Sequence, residues 1–166
     1  MIDYDKIISQ KAKEIKPSGI RKFFDIANSI ENVISLSIGE PDFKTPWAIR
    51  KEAISVLEKG KTRYTSNAGL DGLREAIADY LQQTIRTSYD PKSEILVTIG
   101  GSEAIDATFR AIIEEGDKIL IPEPSYVCYS PLVTLADGVP VAIETKEENK
   151  FKLTAEELIA KITPKT

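Results

Sequence analysis

Glu94-Ile95-Leu96-Val97-Thr98-Ile99-Gly100-Gly101-Ser102-Glu103-Ala104 is the stretch on which the reading of this 166-residue chain turns. Residues 94–99 are a short apolar run rich in β-branched side chains, which reads as a buried strand. Beyond the glycine pair, Ala104, Ile105, Phe109, Ile112 and Ile113 recur at helical spacing, and Gly116 supplies a stop. Strand, two-glycine turn and helix make half of a βαβ unit. The start of such a helix leaves N–H groups unpaired and presents a positive dipole end. Glycines there let the backbone approach an anion closely, and the Ser102 hydroxyl adds a donor. The stretch therefore has two readings: a plain turn whose glycines solve a backbone angle, or a phosphate cradle. It is neither the dinucleotide fingerprint nor a P-loop, because G-x-G-x-x-G is absent and no Gly-Lys-Ser/Thr follows.

Composition narrows the chemistry around that stretch. The chain is long enough for one domain with a substantial core, and 42% hydrophobic with 29% charged residues is ordinary for a globular protein. A net charge of −4 offers no electrostatic case for nucleic acid or an anionic membrane. No apolar run approaches the roughly 20 residues of a membrane-spanning helix, and the N-terminus lacks a signal-peptide layout. A single cysteine, Cys128, rules out an internal disulfide framework and makes a cytoplasmic setting the expectation. With no histidine, Ser-His-Asp and Cys-His nucleophile systems are excluded, as are the usual zinc and copper sites, so no metal is expected. The chemistry must come from Tyr, Lys, Asp, Glu, Ser or a bound cofactor.

The flanking sequence repeats the alternation. Residues 3–15 read as a thin amphipathic helix broken by Pro17, and Ser18 caps a second one carrying Ile20, Phe23 and Ile30. Residues 33–37 read as a strand, followed by an irregular turn. Thr45 reads as the cap of a helix with Pro46 at its first position, running to about Glu58. A polar loop precedes a long helix marked by Leu70, Leu73, Ile77, Leu81 and Ile85. After the central stretch come a strand at 118–122, a short helix at 127–136 and a strand at 139–144. Thr154 and Glu157 form a capping box opening a helix to Ile162. Strands alternating with helices argue for a parallel α/β sheet. The chain stops where the next strand belongs, so it reads as a piece of a larger protein.

Four motifs fall in one order. Gly39-Glu40-Pro41-Asp42-Phe43 is a Gly- and Pro-punctuated turn, and Tyr64-Thr65-Ser66-Asn67-Ala68-Gly69 is a polar loop led by a tyrosine. Gly100-Gly101-Ser102-Glu103-Ala104 is the glycine turn, and Pro124-Ser125-Tyr126-Val127-Cys128-Tyr129 is an aromatic loop. Together they resemble the N-terminal part of the fold type I, pyridoxal-phosphate-dependent aminotransferases of class I and II. The group includes aspartate, aromatic and N-acetyl-diaminopimelate aminotransferase-like enzymes. The resemblance covers nearly the whole chain, and members are more than twice as long.

That resemblance implies an α/β fold, part of the large cofactor domain with a mainly parallel sheet and flanking helices, preceded by a helical N-terminal arm. Residues 1–44 would be the arm and substrate-side turn, and 45–166 the first half of the large domain. Amides near Gly101, Ser102 and Glu103 would hold the phosphate of pyridoxal 5'-phosphate, with the Glu103 side chain pointing away. Tyr126 would lay its ring over the pyridine, and Tyr64 would reach the phosphate of the neighbouring subunit in a homodimer. Gly39 and the arm near Ile20 would face the substrate, an amino acid or a 2-oxo acid. The covalently cofactor-binding lysine of the family belongs downstream, so the fragment is expected to be inactive. Cys128 reads as a small buried apolar residue rather than a nucleophile. Two alternatives stand beside this reading: another pyridoxal-phosphate enzyme of the same fold, of the C–S lyase type, or a non-covalent phosphate- or nucleotide-binding domain.

Overall fold

The computed structural model describes residues 3–17, 19, 23, 26–27, 29–30, 32–34, 39 and 41–166. The helix expected after Ser18 and the strand expected at 33–37 lie largely outside the described residues, and Ile20 lies outside them altogether. Contacts divide the chain into two compact units, Met1–Pro17 with Thr98–Thr166, and Ser18–Val97.

The first unit carries the sheet. Strands β1 (Lys118–Glu123) and β2 (Val139–Glu144) pair in parallel, from Lys118 against Val139 to Glu123 against Glu144. Two parallel strands need a crossover rather than a tight turn. Here it contains the helix Tyr129–Leu135, placed between the strands in sequence and packed on both. The core lies where the three meet, with Ile121, Val133, Ala136 and Ile143 sealed from solvent. Gly138 is a packing glycine, since a Cβ there would lie 2.9 Å from Val133 Cγ1 and 3.0 Å from Ile113 Cγ2. The helix Gly101–Ile112 packs against the crossover helix.

At the margins of this unit the local expectations meet corrections. The helix expected over 3–15 is a 3-10 turn, Tyr4–Lys6, followed by a separate helix, Gln10–Glu14. Ser9 is the reason: it is extended, and its hydroxyl accepts the Ala12 amide at 3.3 Å, starting a new helix instead of continuing the old one. The capping box forms as expected, with the Glu157 amide donating to Thr154 Oγ1 at 3.2 Å and the Thr154 amide to Glu157 Oε2 at 3.0 Å. Its helix, Ala155–Ile159, stops short of Ile162. The Lys161 and Ile162 amides bond carbonyls three residues back, which tightens the last turn.

The second unit holds two long helices, Trp47–Glu58 and Asp71–Ile85. The first is capped by Pro46, one residue later than expected, because Pro46 is still extended while its carbonyl accepts the amides of Ile49 and Arg50. The expected strand at 94–99 is absent. Ladder hydrogen bonds need a neighbouring strand, and among the described residues this segment has one long-range backbone bond, from the Val97 amide to the Ala68 carbonyl at 3.0 Å. Gly69 lies against it in a left-handed conformation (φ +101°). A Cβ there would come within 2.7 Å of Val97 Cβ.

Candidate functional site

The site is built at the start of the Gly101–Ile112 helix. Gly100, its N-cap, has φ +87° and ψ 164°, a backbone shape that side chains disfavour, so glycine is required where the chain swings into the helix. Thr98 braces the approach: its hydroxyl donates to the Gly100 carbonyl at 3.0 Å, and the Gly100 amide donates back to the Thr98 carbonyl at 3.0 Å. The next three amides, of Gly101, Ser102 and Glu103, have no protein acceptor among the described residues. A Cβ built on Gly100 or Gly101 would meet nothing within 4 Å, so the backbone there borders open space.

Glu103 is the acidic residue of that first turn. Its carboxylate turns back to accept the Ile99 amide, so the negative charge is occupied by a donor upstream of the helix. Facing the turn is Tyr126, from the loop that leaves β1. Its hydroxyl lies 3.3 Å from Ser102 Oγ, and its side chain is 55% exposed. The Tyr129 ring meets the Tyr126 ring edge-on, with centroids 5.8 Å apart and an interplanar angle of 83°. Tyr129 was not singled out in the sequence, although its spacing of three from Tyr126 put both rings within reach across one turn. Cys128, expected to be buried, is half-buried at the N-cap of the crossover helix. The chemistry of the place is that of an anion site, with bare N–H groups, a helix dipole and a hydroxyl, and an exposed aromatic ring stands beside it.

Gly101, Ser102, Glu103 and Tyr126 therefore lie together in one unit. Tyr64 and Gly39 belong to the Ser18–Val97 unit. Tyr64 is fully exposed, beside a recess of about 410 Å³ also lined by Lys59, Lys61 and Arg63. Among the described residues there is no cluster of potential metal ligands and no helix long and apolar enough to cross a membrane.

A profile of the aminotransferase class I and II family matches residues 31–166. The chain belongs to that family. It is 50% identical over 159 residues to a putative aminotransferase, YugH, of Bacillus subtilis, covering 96% of this chain and 41% of that protein. It is 43% identical to aromatic-amino-acid aminotransferase 2 of Thermococcus litoralis, with the same two coverages. Among solved structures, the aspartate aminotransferase of Thermus thermophilus with maleate superposes with a TM-score of 0.89 at 34% identity, over 96% of this chain and 42% of that one. The fold is thus the α/β fold of these aminotransferases, and the chain spans about two fifths of the length of the relatives it matches.

Proposed function

We propose that this chain is the N-terminal part of a pyridoxal-phosphate-dependent aminotransferase that moves an amino group between an amino acid and a 2-oxo acid. The observation that carries the reading is the set of three uncovered amides at residues 101–103, bordered by the Ser102 hydroxyl and an exposed aromatic ring. A phosphate monoester dianion matches this set, because amides and a hydroxyl donate where the ester oxygens can only accept.

In this reading Gly101, Ser102 and Glu103 hold the phosphate through their amides, and Ser102 adds its hydroxyl. Tyr126 lies against the face of the heterocycle and fixes its plane. The Glu103 carboxylate, engaged by the Ile99 amide, keeps its charge directed toward the backbone. When bound, pyridoxal phosphate supplies the electron sink that amino-group transfer requires. Gly39 and Ile20 serve the substrate side. Tyr64 extends to the phosphate of a second subunit, which makes the working protein a homodimer. Residues 1–44 are the arm and substrate-side turn, and 45–166 the first half of the large domain. The lysine that holds the cofactor belongs to the remaining length of the protein, which places catalysis outside these 166 residues. A cytoplasmic role in amino-acid biosynthesis fits the composition.

The test is titration of the full-length protein with pyridoxal phosphate, followed by absorbance and by amino-group transfer from aspartate and from an aromatic amino acid. A new absorption band with transfer activity is expected, and Ser102→Ala weakens cofactor binding about tenfold, the worth of one hydrogen bond to a charged group. A protein that binds nucleotides but leaves pyridoxal phosphate unaltered would instead be a phosphate-binding domain. One that binds the cofactor and splits cysteine conjugates into a thiol, pyruvate and ammonia would be a C–S lyase.

A further inference from the structure

Ser102 and Tyr126 are separated by 24 residues of sequence, yet their hydroxyl oxygens lie 3.3 Å apart, and neither has another side-chain partner among the described residues. A serine hydroxyl offers one proton and two acceptor sites, and a tyrosine hydroxyl one proton as well. The pair can therefore point in either sense. If Ser102 donates to Tyr126, its proton is lost to an anion on the helix terminus. If Tyr126 donates to Ser102, the Ser102 proton is free to turn toward an anion held by the bare amides of the first turn. We propose that Tyr126 is a positioning residue for Ser102, its hydroxyl donating to Ser102 Oγ so that the serine proton is aimed at a bound phosphate monoester. The inference rests on the phosphate reading above and adds to Tyr126 a role separate from that of its ring.

Three features of the site support this direction. A phosphate dianion presents only acceptors, so its arrival selects the sense in which Ser102 donates to it. Hydrogen bonds aligned head to tail then polarise one another. The one carboxylate of the turn, Glu103, is drawn away to the Ile99 amide and does not compete for either hydroxyl. Tyr126 is also held in place. Its carbonyl accepts the Tyr129 amide at 3.2 Å, and its ring makes a T-shaped contact with that of Tyr129, so the hydroxyl is presented from a braced side chain.

The experiment uses the full-length protein and three ligands: pyridoxal phosphate, inorganic phosphate, and pyridoxal, which lacks the phosphate. Tyr126→Phe keeps the ring and removes the hydroxyl at an exposed position. It is expected to weaken pyridoxal phosphate and inorganic phosphate about three- to fivefold while leaving pyridoxal unchanged. Ser102→Ala weakens the two phosphates about tenfold. In the Ser102→Ala background the further change Tyr126→Phe has no effect, because the residue it acts through is gone. Equal phosphate affinity for Tyr126→Phe and wild type overturns the inference while leaving the cofactor reading intact, as do losses that simply multiply in the double variant. A loss of pyridoxal affinity in Tyr126→Phe equal to the loss of phosphate affinity also overturns it, since the ring would then be at fault. A wild-type protein that binds neither phosphate nor pyridoxal phosphate removes the cofactor reading, and this inference with it.

Discussion

In the unit formed by Met1–Pro17 and Thr98–Thr166, the residues sealed from solvent are Ile121, Val133, Ala136, Ile143 and Thr145. In Ser18–Val97, the buried residue among those described is a charged one, Arg74. The first unit closes a strand–helix–strand module, so apolar side chains from all three elements meet and exclude water. Thr145 fits there because its amide and its hydroxyl both donate to the Glu123 carbonyl at 2.8 Å. Among its described residues the second unit has two long helices, and Leu57, Leu70 and Leu73 are exposed there. Its buried residue sits in a cluster of polar bonds. Arg74 pairs with Asp71 and donates to the Lys92 carbonyl at 3.2 Å, while its Nε has no partner among the described residues. Asp90 in turn accepts the Lys92 amide at 2.9 Å and the Ser93 hydroxyl at 2.6 Å. Within these residues the strand–helix–strand module closes an apolar core, and the burial in the helical unit falls on a polar cluster around Arg74.

The largest effect should come from the apolar side of that contrast. Ile143→Ala opens a cavity in the buried core of this module and is expected to cost about 3 kcal/mol. Urea unfolding of the full-length protein measures it, and a loss below about 1 kcal/mol would mean the module has no independent core. Next comes Arg74→Met, which removes the buried charge and leaves the Lys92 carbonyl without its donor. A loss of about 2 kcal/mol is expected, with faster amide exchange confined to residues 90–94. An unchanged exchange pattern would break the claim that Arg74 clamps the segment around Lys92.

The smallest effect is electrostatic. The Ser93 hydroxyl, and then the Lys92 amide, hold the Asp90 carboxyl below its ordinary value of 3.8. A group with a folded pKa below its unfolded one contributes stability above the unfolded pKa and loses it as pH falls through the folded one. The Asp90 contribution is therefore complete at neutral pH and disappears only in acid, below the ordinary carboxylate range. An NMR titration of the Lys92 amide should show that acid transition in the wild type and none in Asp90→Asn.

Features written in neighbouring residues were legible in advance. The parallel strands, expected at 118–122 and 139–144 and found at 118–123 and 139–144, the helix after the glycine pair, and the Thr154–Glu157 box are set by apolar periodicity or by side chains three residues from their targets. The strand expected at 94–99 had the right composition, but a strand exists only against a neighbour, and among the described residues the segment reaches one distant carbonyl, that of Ala68. The break at Ser9 was missed for a related reason. A serine inside a helical pattern can either follow the pattern or cap a new helix, and periodicity does not separate the two. Arg74 reads from sequence as one more charge on an amphipathic helix, and nothing local announces its burial.

The residue order alone therefore determined the class of the protein, the α/β alternation and the glycine turn that opens its central helix, because these follow from backbone limits and spacing along one segment. The folded chain decided which residues meet. That Ser102 faces the Tyr126 hydroxyl, that Glu103 turns to Ile99, and that a guanidinium rather than a leucine is buried in the helical unit all depend on contacts between segments distant or opposed in sequence. Such contacts arise only when packing has selected one arrangement of the elements among the many that their periodicity allows.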